Sequence, residues 1–319
     1  MTIKQSTNQS IAEASDLIKN GECVVIPTET VYGLAADATN GQAVAKIFDI
    51  KGRPSFNPLI SHFYNLGHLA DYITPNETTK ILSSEFWPGP MTIIVNRKQG
   101  CKIADITCAG LDTIAVRIPS HPTAQRIIKS AGVPLAAPSA NKSGEVSPTT
   151  AIHAAESLGD KSPLIIADGA SQIGLESTVI DCTGDRAIIL RPGAITAQQC
   201  SDVLGYDVEI DLGSHDTPKS PGQLLKHYAP KTQVRLKAYD LHGGDALLAF
   251  GSTKFMPIHK AATILNLSET GDLFEAASNL FSYLRRLDQA GAKTIAVMDV
   301  PTNGIGLAIN DRLKRAAEG

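Results

Sequence analysis

Four short apolar runs bounded by Pro or Gly constrain the fold of this 319-residue chain more than any other feature. CVVIP (23–27), MTIIV (91–95), TIAVRIP (113–119) and PLIIAD (163–168) show little polar alternation, the pattern of strands buried on both faces. Between them GQAVAKIFDIK (41–51), HPTAQRIIKSAG (121–132) and PTTAIHAAESLG (148–159) carry helical spacing, the last opening on a proline after a serine. Strands alternating with helices predict an α/β fold. STVIDCTG (177–184) and AIILRPG (187–193) lie only a few residues apart and predict a hairpin, so the sheet is expected to be mixed.

The pattern changes after about residue 205. DLGSHDTPKSPGQLLKHYAPKT (211–232) has three prolines and no sustained period, which reads as a linker. ALLAFG, ATILNL and TIAVMDV are strand candidates beyond it, and Leu273, Ala277, Leu280, Leu284 and Leu287 form one helical stripe. The expected organisation is a first domain over 1–205, a linker over 206–235 and a smaller α/β domain over 236–319.

Composition matters mainly for what it excludes. A net charge of -3 and an aromatic content of 5% argue against a surface that coats nucleic acid, while leaving room for a focused basic cleft. No window holds the ~18 apolar residues of a membrane span, and MTIKQSTNQS is too polar for a secretory signal, so a cytoplasmic protein is expected. Five cysteines without a CxxC pair, and scattered histidines, predict reduced thiols and no resident metal cage.

Four segments can carry chemistry. KGRPSFNPLISH (51–62) sets Lys51 and Arg53 two apart, which in extended backbone would point both cations the same way, and Pro54 biases Arg53 toward extension. PTETVYGL (27–34) follows the first strand, where open α/β sheets expose ligand-binding edges, and clusters Thr28, Thr30 and Tyr32 beside Gly33. APSANKSGEVSP (137–148) offers small polar side chains suited to close approach by phosphate oxygens. Ser177 and Arg191 sit on the expected hairpin, and Arg117 is a cation on an otherwise apolar strand that requires an anionic partner. Each segment alone reads at least as well as a satisfied turn or a structural ion pair as it does as a ligand site. GxxxxGK[ST] and a strand-to-helix GxGxxG are both missing, which removes the P-loop and dinucleotide readings.

Together these segments resemble a known family. PTETVYGL, KGRPSFNPLISH, FWPGPMT, TIAVRIPSHP, PLAAPSANKSGEVSPT and STVIDCTG with ILRPGAI stand in the order and spacing of the YrdC-like domain of the two-domain threonylcarbamoyl-AMP synthases, over about residues 10–205. SPGQLLKHYAP resembles their interdomain linker, with Gln223 where an apolar residue is usual, and GIGLAINDRLKRAA resembles their C-terminal domain.

The resemblance implies a twisted mixed-sheet YrdC-like domain with a concave basic cleft, followed by a smaller Rossmann-like domain. It implies synthesis of threonylcarbamoyl-AMP and pyrophosphate from L-threonine, bicarbonate or CO2, and ATP, with Mg2+ arriving on the phosphates and no tightly bound organic cofactor. A separate transferase system would place the product on tRNA, while tRNA itself would not be needed for adenylate synthesis. Lys51 and Arg53 would act on the phosphates. Thr30, Tyr32, His62, Arg117, Ala137 and Ser177 would receive threonine. Arg53, Asn57, Thr113, Ser139, Asn141, Ser147, Arg191 and Tyr228 would surround the nucleotide, with Lys51 beside them, and a linker carrying His227 and Tyr228 could close as a lid. Two other readings are a carbamoyl-adenylate-forming module, as in hydrogenase-maturation carbamoyltransferases, and an RNA-binding YrdC-like module.

Overall fold

The computed structural model describes residues 2–213 and 228–318. Gln223, His227 and most of the SPGQLLKHYAP motif therefore lie outside the described residues. The expected strands are Val24–Ile26, Met91–Asn96, Thr113–Arg117 and Leu164–Ala167, and Thr178–Asp181 pairs antiparallel with Ile188–Arg191 as the hairpin. They belong to an 11-stranded mixed sheet whose middle runs Val24–Ile26, Gly33–Asp37, Leu135–Ala136, Ile60–His62, Thr113–Arg117, Met91–Asn96 and Thr178–Asp181. A four-stranded sheet of parallel neighbours follows: Gln233–Arg235, Thr294–Val297, Ala246–Ala249 and Thr263–Asn266. The large sheet extends past residue 205, because Glu209–Ile210 pairs with Ile188–Ile189.

Local chemistry sets the helix ends. Gly41–Lys51 starts where the Asn40 side chain accepts from the Gln42 and Ala43 amides, and stops at Gly52, whose φ of 60° is left-handed and costs glycine little. The helix expected to open at Pro148 instead spans Ala151–Leu158. Thr150 caps it by accepting from His153 N, while the Pro148 carbonyl is taken by Tyr32 N. A threonine cap satisfies an otherwise orphaned amide, which proline at the same place cannot do.

Strand parity places the site. On Thr113–Arg117, Ile114 and Val116 enter the main core with Ile47, Phe48 and Leu82 from the covering helices. The intervening Ala115 faces the other way, into a small cluster with Ile60, Ile94, Val179 and Leu190, and Arg117 follows it on that same face. The opposite face of these central strands thus carries only a thin apolar layer, and there the cavity forms.

The second core is shared. Val31, Val146, Leu175 and Ala194 from the large-sheet unit pack with Tyr228, Leu248, Phe281 and Ile309 around the small sheet. Gly174 marks the closest approach, since a Cβ there would lie 2.6 Å from backbone atoms of Ser278 on the helix Leu273–Gln289 and the residue has a φ of 71°. Gly174→Ala is expected to lower stability by about 2 kcal/mol or more through strain and separation of these surfaces. A thermal midpoint equal to that of the unaltered protein would show that the loop yields without cost.

Candidate functional site

The cavity is lined by Arg53, Arg117 and Arg191, with His62 and Glu176 as the other ionisable side chains apart from Tyr228. Three buried guanidiniums in one wall are costly unless anions meet them.

Arg117 is bonded through all three guanidinium nitrogens. Its Nη2 donates to Glu29 Oε1 at 2.5 Å, its Nη1 to Thr30 Oγ1 at 2.9 Å and its Nε to the Gly89 carbonyl at 3.2 Å. Burial works to raise the Glu29 carboxyl, but the charge and hydrogen bond of Arg117 outweigh it and hold that carboxyl below its usual range. Thr30 is fixed from its other side by Thr28 Oγ1 at 2.9 Å.

Arg53 is held by its own loop: Nε donates to the Asn57 carbonyl at 3.2 Å and Nη2 to the Pro58 carbonyl at 3.0 Å. Burial, with Arg191 adding repulsion, pulls its guanidinium down to about 10. Lys51 and Arg53 do not share an extended segment, as the KxR spacing suggests. Lys51 is the last helical residue, and left-handed Gly52 turns the chain before Arg53. Lys51 consequently points behind the cavity wall, where Nζ donates to the carbonyls of Ser139 and Asn141, each at 2.5 Å. It clamps the 137–148 loop, and burial followed by repulsion from Arg53 draws its ammonium well below the normal range.

On the hairpin side Arg191 donates to the Ser177 carbonyl through Nε at 3.1 Å and Nη2 at 2.9 Å, and through Nη2 to Ser177 Oγ at 3.2 Å. Ser177 Oγ also meets Thr92 Oγ1 at 2.7 Å. The adjacent Glu176 accepts from Ser147 Oγ at 2.5 Å and from Arg312 Nε at 3.1 Å, the latter from the helix Gly306–Ala317 of the small unit. Burial would raise the Glu176 carboxyl, but Arg312 and Arg191 together hold it low. Tyr228 closes the cavity with a positive φ of 65°, its ring stacked on Phe281 at 5.4 Å between centroids.

His62 lines the wall as a neutral ring. Burial first, then Arg117, lower its pKa to about 3. Between that value and the ordinary 6.5 the unfolded chain binds a proton that the fold excludes, so folding stability rises with pH across this window and levels above it. His153, lowered to about 4 by burial and then Arg285, adds to the same slope. His62→Gln is expected to flatten the rise by up to about 1.4 kcal/mol per pH unit in urea titrations. An unchanged slope would place the proton elsewhere.

Residues 195–318 match the family model described as "Threonylcarbamoyl-AMP synthase, C-terminal domain", and residues 16–193 match the Sua5, YciO and YrdC model described as "Telomere recombination". The threonylcarbamoyl-AMP synthase of Bacillus subtilis is 39% identical over 100% of this chain and 96% of its own length. This chain belongs to the threonylcarbamoyl-AMP synthase family. Its Pyrococcus abyssi relative of that name is 38% identical over 99% of this chain and 98% of the relative. The crystal structure of P. abyssi Sua5 complexed with L-threonine superposes with a TM-score of 0.90 at 35% identity, covering 99% of this chain and 96% of that one.

In this threonylcarbamoyl-AMP synthase fold, Thr30, Arg53, His62, Arg117, Ala137, Ser139, Ser177, Arg191 and Tyr228 converge on one cavity. Lys51, Asn57, Asn141 and Ser147 stand one layer behind it: the first three supply or bind backbone carbonyls of the wall, and Ser147 orients Glu176. Thr113 shares the face of Arg117 but opens the strand four residues earlier, about 13 Å away along it. Tyr32 is not at the cavity. Its hydroxyl donates to the Gly169 carbonyl at 2.6 Å and accepts from Asp168 N at 3.1 Å, and its ring enters the main core, while Thr30 and Val31 before it line the cavity.

Glu29 and Glu176 complete the site, and sequence reasoning missed both. Glu29 stands between Thr28 and Thr30 in PTETVYGL, and Glu176 immediately precedes STVIDCTG. An acid in a site for anions reads as a solvated turn until its arginine is known, and the partner of Glu176 is 136 residues away.

Proposed function

We propose that the cavity joins L-threonine, bicarbonate or CO2, and ATP into threonylcarbamoyl-AMP, releasing pyrophosphate. A carbamate oxygen on the threonine nitrogen attacks the α-phosphorus, and the bond from that phosphorus to pyrophosphate breaks, which makes the reaction a nucleotidyl transfer. The observation that carries this reading is the convergence of Arg53, Arg117 and Arg191 with His62, Ser177 and Tyr228 on one cavity, in a chain 35% identical to a protein crystallised with L-threonine. Carboxylate, carbamate and triphosphate repel one another, so fixed cations lower the barrier by positioning and charge compensation more than by proton transfer.

Arg117 and Thr30 suit the threonine end, with Ala137 as an apolar contact for a methyl group and Ser177 as a hydroxyl partner. The hydroxyl contact would supply most of the discrimination against valine. Neutral His62 can accept or donate one hydrogen bond without adding charge. Arg53, Ser139 and Arg191, with Tyr228 above, suit the nucleotide, and Thr113 stands where a long ligand would extend along the strand face. Mg2+ is part of this substrate. No cluster of three acidic, histidine or cysteine side chains able to hold a metal occurs among the described residues, and Glu29 and Glu176 are already committed to arginines. The ion would enter on the phosphates of ATP.

The product would feed a separate transferase that modifies tRNA, in the cytoplasm. The deciding experiment is pyrophosphate release from ATP with bicarbonate and Mg2+, with and without L-threonine, and identification of the adenylate by mass. Threonine-dependent release of that adenylate is expected, and release indifferent to threonine would overturn the reading.

A further inference from the structure

Arg312 is fully buried, yet it belongs to the small unit and is not itself part of the cavity lining. A helix needing only to pack would be served as well by an apolar side chain, because enclosing a guanidinium costs far more than enclosing a methionine. Its surroundings indicate what that cost supports. Nε donates to Glu176 Oε2 at 3.1 Å, Nη1 donates to Asp311 Oδ2 at 2.8 Å, and the guanidinium carbon lies 5.5 Å from the centre of the Tyr228 ring. Asp311 is braced in turn by Arg315 Nε at 3.1 Å, and the other Glu176 oxygen accepts from Ser147 at 2.5 Å. A continuous polar chain thus runs from the last helix of the protein to the cavity wall.

We propose that Arg312 is a positioning residue for adenylate formation: by gripping Glu176 and backing the Tyr228 ring, it makes the small unit hold part of the nucleotide wall. This rests on the function proposed above. Glu176 is the carboxylate beside Arg191, which it partly neutralises. Held in place, it keeps the cationic wall from repelling itself. Loose or protonated, it no longer offsets the Arg191 charge.

The charged and titratable groups around Glu176 are Arg191 on the hairpin, Arg53 across the cavity, Lys51 behind the 137–148 loop, Tyr228, and Arg312 with Asp311 from the helix. Burial pushes the carboxyl up, and Arg312 is the largest influence against it. Losing Arg312 should therefore let Glu176 take a proton at higher pH, with Arg191 still limiting the rise.

The test uses the full chain with Arg312→Met, Arg312→Lys, Glu176→Gln and the Arg312→Met/Glu176→Gln double variant. Threonine-dependent pyrophosphate release is followed from about pH 5.5 to 9, with folded fraction measured at each point. Arg312→Met is expected to lower kcat/KM for ATP about 10- to 100-fold, the scale of one charge-assisted hydrogen bond, and to move the acid limb of the profile upward. The double variant, with a permanently neutral side chain at 176, should lose that displaced limb and stay slow at every pH, whereas Arg312→Lys should retain most of the rate. A profile for Arg312→Met that matches the unaltered protein, or a rate loss that only tracks folded fraction, would overturn the inference. An unaltered protein that makes no adenylate would sink the functional reading and this inference with it, whereas an active one beside a silent Arg312→Met sinks the inference alone.

Discussion

Arg117→Met should cost about 3–5 kcal/mol of folding stability and remove threonine-dependent adenylate formation, because it strands the Glu29 carboxylate in a buried site. Both members of the pair are enclosed, with side-chain exposures of 4% and 6%, so solvent cannot replace the missing charge. Glu29→Gln should destabilise on a similar scale by leaving the guanidinium unpaired. Replacing both with apolar residues should restore much of the stability, since two desolvation costs vanish together, yet activity should stay absent because the cavity has lost the Arg117 guanidinium. Urea unfolding and pyrophosphate release on the same four proteins separate the two effects. If either single variant unfolds at the same urea concentration as the unaltered protein, the pair is solvated in a way the geometry does not allow.

Lys51→Met should weigh less on stability. The ammonium gains two strong hydrogen bonds but gives up its hydration, and its removal leaves two carbonyls without that donor, so a stability loss of about 1–3 kcal/mol is expected. Activity should fall at least about 100-fold, because those two hydrogen bonds tether the loop that brings Ser139 to the cavity, and charge-assisted hydrogen bonds of this kind carry about 1.5–3 kcal/mol each. The measurement is kcat and KM for ATP beside the unfolding midpoint. A large stability loss with kcat retained would make Lys51 a structural bolt and nothing more.

The sequence is most informative where one physical requirement dominates. Apolar runs closed by Pro or Gly mark the buried strands, and the stretch from Asn40 to Gly52 carries both a cap and a stop, so its helix is legible to the residue. The cavity residues are legible as motifs but not as roles. Two-residue spacing in extended backbone makes Lys51 a ligand-facing cation, whereas one left-handed glycine turns it toward the loop behind. Clustered hydroxyls favour Tyr32 as a ligand contact, but its hydroxyl is taken by the backbone at Asp168 and Gly169. Glu29, Glu176 and Arg312 are silent in the sequence because the meaning of a buried charge lies in its partner, and those partners are 88 and 136 residues distant.

The core around the small sheet draws four of its side chains from the large-sheet unit. A chain cut after residue 205 would therefore not be the same enzyme without its cover. It would present Val31, Val146, Leu175 and Ala194 as a new greasy surface next to an unbalanced Glu176, and its failure would say little about what the missing part contributes. The two units are better regarded as a single inheritance: neither half can be exchanged for that of a relative unless the shared seam is exchanged with it.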